Sequence, residues 1–272
     1  MIFSRRQLEP PRPAEPPSFQ TLLDSTDWAS LATACGTGES LPAALTLLTS
    51  SDPVVRETAL HDALGPVTHQ NSIYEATVPV ALCVAAILNH PAITAAAYSH
   101  DAMAPPTHPT LVRLLDWLGD TAYDADADAD AECVAIDERL YGEGSLDEYP
   151  EMHAFRDARP AIFSGVQALL GHDNTHVRHA ALIAAIPLIE HPLLTQHQTN
   201  LAGHARCLLA TSTDRHHRDR VLKALKTWGH DTSTLENASD IAARERYARL
   251  KAARASWDSN WMGGGYSADP PF

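Results

Sequence analysis

A chain of 272 residues, 44% hydrophobic but only 6% aromatic and with a formal charge of −14, has the makeup of an Ala/Leu-rich helical protein, long enough for one extended array or two compact domains. Its four cysteines (Cys35, Cys83, Cys133, Cys207) form no C-x-x-C pair, which argues against a disulfide scaffold or a zinc knuckle and for reduced cytoplasmic thiols. No apolar run reaches the length of a membrane span, and prolines at 10, 11, 13, 16 and 17 stand where a secretory signal carries its apolar region, so no membrane association and a cytoplasmic location are expected.

Residues 1–18 read as a flexible Pro-rich lead. Phe19 to Ala34 predicts a helix with Leu22, Leu23, Trp28 and Leu31 as its apolar positions. A second helix starts after Ser40, with Pro42 in its first turn, and ends at Ser50-Ser51. Asp52-Pro53 then opens a third, an N-cap carboxylate followed by Pro at the first helical position, with Val55, Ala59, Leu60, Ala63 and Leu64 as its core stripe. Residues 72–89 predict a further helix presenting Ile73, Ala76, Val80, Val84, Ile87 and Leu88, with Pro79 kinking it or marking a new start. Past a His- and Pro-rich insertion (90–108), Thr110–Gly119 predicts another, and an acidic insertion occupies 120–151. Residues 240–257 predict one polar, Arg-rich helix, and 258–272 a loose tail. The expected organisation is a helical domain over 19–257 between two flexible ends.

One 22-residue pattern recurs without a gap at 43–64, 165–186 and 205–226. Leu47, Leu169 and Leu209 align, then Asp52, Asn174 and Asp214, then Arg56, Arg178 and Arg218, then Leu60, Leu182 and Leu222. Each copy reads as helix, turn, helix. Such a pair cannot bury its apolar stripe alone, so repetition implies stacking, with all six of those leucines buried. The acid or amide is expected to cap the second helix, worth about 1 kcal/mol each, and the Arg to bridge neighbouring turns. Thr110–Gly119 is a degenerate copy in which Val112-Arg113 and Trp117 take the Val-Arg and Leu positions. The Val-Arg sites at 55, 112, 177 and 217 (His217 in the last) are spaced by 57, 65 and 40, around the period of about 40–47 of helical repeats.

A second helix that begins with Asp and carries Val-Arg one turn in resembles the HEAT repeat. The resemblance implies an all-α, right-handed α-solenoid of HEAT-like helix pairs with two insertions. Over the first hundred residues, Trp28, Leu45, Asp52-Pro53, Val55-Arg56, Ala59-Leu60, His69-Gln70, Tyr74, Ala76-Thr77 and Val78-Pro79 resemble bacterial HEAT-like proteins of actinomycete type, some of which are similar to immunity proteins of polymorphic toxins.

The charge is unevenly placed. Residues 120–151 hold twelve carboxylates against Arg139, a local −11, whereas Arg215 to Arg254 holds ten Lys/Arg against five Asp/Glu, a local +5. The expected function is therefore a protein-binding module, an immunity protein or scaffold that takes a basic partner, with no catalytic residue and no cofactor. Asp124, Asp126, Asp128 and Asp130, together with the polar cluster His69, Gln70, Asn71 and Tyr74, are its expected contact residues. The competing class is a HEAT-like DNA glycosylase acting on alkylated bases, or another HEAT-like enzyme. A basic groove for phosphates is not evident, so nucleic acid is not the expected ligand. No P-loop, G-x-S-x-G, H-E-x-x-H or Rossmann pattern occurs. His172, Asp173, His176 and His179 have helical spacing for a metal, but His172 falls in the turn and no partner motif completes a site. The Asp/Ala alternation lacks the central Gly and terminal Glu of a calcium loop, so no metal is expected.

Overall fold

The computed structural model describes residues 17–69, 71–97, 107–126 and 149–261. They are mostly α-helical; strand among them is confined to two antiparallel hairpins and one isolated bridge. The chain divides into two compact units, Met1–His197 and Gln198–Phe272.

The first unit runs α1 (Phe19–Ser25), β1 (Ala32–Thr33), β2 (Gly36–Thr37), α2 (Leu41–Leu47), α3 (Pro53–Leu64), β3 (Thr68–His69), β4 (Ser72–Ile73), α4 (Thr77–Ile87), a short α5 (Pro91–Thr94), α6 (Pro109–Asp124), α7 (Pro150–Gln167) and α8 (Thr175–Leu188). The helices lie in two layers. In one, α1, α2 and α7 pack on α4; in the other, α3 and α8 pack on α6. Contacts of α2 with α3 and of α7 with α8 join the layers. Leu111, Leu114, Leu115 and Leu118 of α6 and Phe155, Ile162 and Phe163 of α7 are core residues, and burial of such apolar surface supplies most of the folding free energy.

Each layer depends on one glycine that admits a close backbone approach. A Cβ on Gly165 would sit 2.5 Å from the Ala85 carbonyl oxygen of α4, and one on Gly119 would sit 3.0 Å from Cα of Ala184 in α8. We expect Gly165→Val and Gly119→Val each to cost about 1–3 kcal/mol through overpacking, read as a shifted urea midpoint. A change within about 0.5 kcal/mol, as at an ordinary surface position, would show that the helices can separate at no cost.

The helix expected over Phe19–Ala34 stops at Ser25. Thr26 has extended backbone and donates its hydroxyl to the Leu22 carbonyl, and Trp28 Nε1 donates to that of Leu23, so the last carbonyls are closed off by side chains. The chain then enters the β1–β2 hairpin, which is tied to a distant segment: Ala34 N donates to Pro66 O, and Ala32 N to the Glu75 carboxylate. The helix expected over 72–89 begins only at Thr77, leaving Pro79 in the first turn, where its missing N–H has no helical partner to lose. Before it, β3 and β4 form a hairpin whose turn places Asn71 at φ 61, a left-handed conformation that asparagine tolerates. Thr77 is fully buried, donates to Val67 O and accepts from Tyr74 N, which fixes the helix start.

The second unit runs α9 (Gln198–Thr211), α10 (Arg215–Thr227) and α11 (Ala238–Trp261), with α10 packed on both neighbours. Leu201, Ala205, Leu208 and Leu209 of α9 and Val221, Leu222 and Leu225 of α10 are buried. Gly229 at φ 80 ends α10, with His230 N donating back to Leu225 O. No described helix of the chain is long and apolar enough to cross a membrane.

Candidate functional site

The repeated Asp/Asn and Arg perform the same local work in all three copies. Asp52 accepts from Val54 N (2.8 Å), Asn174 from His176 N (2.9 Å) and Asp214 from His217 N (3.0 Å), each satisfying free donors at a helix start. The backbone bond from His217 holds the Asp214 carboxyl below the usual carboxylate range. Four residues on, each Arg donates to the carbonyl six positions behind it: Arg56 to Ser50 O (2.7 Å), Arg178 to His172 O (2.7 Å) and Arg218 to Ser212 O (3.2 Å). The guanidinium thus staples the second helix to the turn that precedes it, satisfying a carbonyl that no helix uses. Arg218 goes further, bonding Leu209 O and Leu235 O and forming an ion pair with Asp240 at 2.6 Å. Hydrogen bonds from Arg218 hold Asp240 well below its ordinary range.

The degenerate copy departs from this scheme. Arg113 is exposed and pairs with Glu57 across α3 and α6 instead of binding a turn carbonyl, and Leu118, not Trp117, is buried. Of the six aligned leucines, Leu60, Leu169, Leu182, Leu209 and Leu222 are buried, but Leu47 is 49% exposed. The seam of α2 is Leu41, Ala44, Leu45 and Leu48. Leu47 is one residue before Leu48 of that seam, about 100° around the helix from it. The aligned leucines of the second helices, Leu60, Leu182 and Leu222, thus keep register, whereas those before the turn do not: Leu169 lies in a 3-10 segment after α7 and Leu47 faces outward on α2.

Among the expected contact residues, His69 and Asn71 are exposed on the β3–β4 hairpin, and Tyr74 is half-buried beyond it. Gln70, Asp128 and Asp130 lie outside the described residues. Asp124 closes α6. Asp126, expected in a solvated loop, is instead buried at 5% exposure. The cause is a pair of arginines from α7 that tie down the end of α6: Arg156 donates to Ala125 O and Asp126 O, and Arg159 to Ala122 O, Ala125 O and the Glu190 carboxylate. Cations at a helix C-terminus also complement its dipole. Helix therefore occupies both ends of the 120–151 insertion, and residues 127–148 lie outside the described ones.

His172 accepts from Asn174 N through Nδ1 and stands edge-on to His108 at 5.1 Å; burial, then the neighbouring His108, lower its pKa. Among the described residues no group of three or more His, Cys, Asp or Glu is placed to hold a metal ion. Burial pushes the Cys83 thiol up to about 12, while Cys35 and Cys207 are exposed. Iodoacetamide at neutral pH should therefore modify Cys35 and Cys207 in the folded chain and Cys83 only after denaturation, because the thiolate is the nucleophile. Rapid native modification of Cys83 would show that α4 opens readily.

Two surfaces could hold a partner, and they differ in sign. The first unit carries nine arginines and no lysine against twenty-six carboxylates, leaving −17, whereas the second unit sums to +3. Every described arginine of the first unit is engaged: Arg56, Arg156 and Arg178 on carbonyls, Arg159 on carbonyls and Glu190, and Arg113 on Glu57. Asp24, Asp27, Glu39, Asp62, Asp120 and Asp157 are exposed. Of that −17, residues 120–151 carry −11 and the rest of the first unit −6, so the acidity is not confined to the insertion. In the second unit, α10 and α11 bound a groove of about 790 Å³. A recess of about 610 Å³ between α1, α4 and α7 is lined by small and apolar residues such as Leu22, Leu82, Ala85 and Gly165. Compared with family models, curated proteins and solved structures, the chain matches none significantly.

Proposed function

We propose that this chain is a HEAT-like helical-repeat module that binds a basic protein, without catalysis of its own, and that neutralisation of a toxin in the manner of an immunity protein is one form this binding takes. The observation that carries the reading is the charge of the first unit, a net −17, with carboxylates such as Asp62 of α3 and Asp120 of α6 exposed in neighbouring helices of one layer. A net −17 steers a basic protein and repels nucleic acid, which weighs against the base-excision alternative. Stacked helix pairs supply the extended surface that such binding uses.

The test compares the wild-type chain with Asp62→Lys/Asp120→Lys, each immobilised in extract of the source cells, with mass spectrometry of what is retained. The reading expects a protein of high isoelectric point on the wild type that the variant loses while its circular dichroism stays helical. Equal retention by both chains, or recovery of nucleic acid alone, would contradict it.

A further inference from the structure

The groove between α10 and α11 has a composition unlike the rest of the molecule. Its floor is apolar, formed by Leu222 and Ala243, and its rims carry Arg215, Lys223, Lys226 and Arg244, with Tyr247 at the edge. Three carboxylates also line it: Asp219, four residues from both Arg215 and Lys223 on α10, and Glu236 and Asp240, which are paired within the unit. Glu236 receives Lys226 at 2.6 Å and also Arg244, and Asp240 receives Arg218. The hydrogen bonds from Lys226 and Arg244 keep Glu236 ionised well below its usual range. Across Arg215 to Arg254, ten cations face five carboxylates. Beside the groove, α11 leaves Ile241 at 39%, Tyr247 at 69% and Leu250 at 57% exposure. Single exposed apolar residues are ordinary, but Tyr247 and Leu250, three residues apart, share the face of α11 that lines the groove, whereas Ile241 lies off it.

We propose that this groove docks an acidic, amphipathic peptide segment of a partner protein. A carboxylate of the segment would meet Arg215, and an aliphatic or aromatic anchor would lie over Leu222 and Ala243 against the Tyr247 ring. Charge complementarity selects the acid, and the apolar floor selects a peptide over a phosphate backbone, which has no apolar group to place there. The stretch of α10 from Arg215 to Thr227 spans about 20 Å, enough for about three turns of an amphipathic helix with anchors at i, i+4 and i+7. This surface is opposite in sign to the acidic layers of the first unit, so the proposal stands or falls independently of the function proposed above.

The test uses the full chain and three fluorescein-labelled probes of equal length, read by anisotropy: an amphipathic Glu/Leu peptide, a poly-glutamate peptide and a single-stranded DNA oligonucleotide. The Glu/Leu peptide should bind at least tenfold more tightly than either of the others. Arg215→Glu should weaken it about tenfold, as expected for loss and reversal of a charge contact. Tyr247→Ser should weaken it severalfold while leaving poly-glutamate unchanged, a readout that a general charge effect would not move. Oligonucleotide binding equal to or tighter than that of the peptide would overturn the proposal in favour of a phosphate-binding surface. Absence of Glu/Leu peptide binding, or binding indifferent to both substitutions, would overturn it outright.

Discussion

Arg218→Ala is expected to destabilise the second unit by about 3–5 kcal/mol, the cost of removing one partner from a buried ion pair. The side chains of Arg218 and Asp240 are 3% and 7% exposed, and the same guanidinium holds the carbonyls of Leu209, Ser212 and Leu235. Its loss strands a carboxylate and three acceptors together. Asp240→Asn should cost less, because the Arg218 guanidinium then keeps the carbonyls of Leu209, Ser212 and Leu235 as acceptors. The pH dependence has a definite sign. Asp240 has a folded pKa below its unfolded one, so its contribution is fully present above the ordinary carboxylate range. That contribution is lost as pH falls through the depressed folded value, and the acid limb of the stability curve should flatten in Arg218→Ala. Chemical unfolding followed by hydrogen exchange in α10 and α11 measures both effects. A loss below about 1 kcal/mol, typical of exposed pairs, would mean that Arg218 is solvated and the staple ornamental.

Leu182→Ala should cost about 2–5 kcal/mol, the range for truncating a buried leucine and leaving a cavity. Leu182 is 1% exposed in the middle of α8, where Ala180, Ala181, Ile183, Ala184 and Ala185 are buried too. So many small neighbours leave little side chain able to move into the space. Leu60→Ala, at the equivalent position of α3 and likewise 1% exposed, should behave similarly, whereas Leu47→Ala should cost little because Leu47 faces outward. Guanidinium melts of the three variants check this order, and a Leu47 effect equal to that of Leu182 would contradict the seam described for α2.

The parts of this architecture that were legible in the sequence are those governed by chemistry within a few residues. Asp52-Pro53, Asn174 and Asp214 announce helix starts because an N-cap needs only its own side chain and the next turn's N–H groups. Leu41-Pro42 marks a helix start through its proline alone, since Ser40 makes no capping bond. The structure at 26–36 was not legible, because its competing partners, Pro66 and Glu75, lie more than thirty residues away in the chain. Asp126 looked like one of a row of solvated aspartates, but Arg156 and Arg159, thirty residues later, draw that segment inward. The adjacent leucines at 47 and 48 fit the helical stripe equally well, and only packing against α3 and α4 separates them. For the candidate surfaces, the +5 of 215–254 was countable in advance, but its arrangement around an apolar floor depends on how α11 lies along α10.

The most direct measurement of the central claim is the association rate of the purified chain with its captured partner as a function of ionic strength. If the acidic layers of the first unit recruit a basic protein, the rate should fall about tenfold or more as added salt shortens the screening length below about 10 Å, and Asp62→Lys/Asp120→Lys should lower the rate and flatten its slope. A rate indifferent to salt, or one that rises with it, would contradict an acidic recruiting surface.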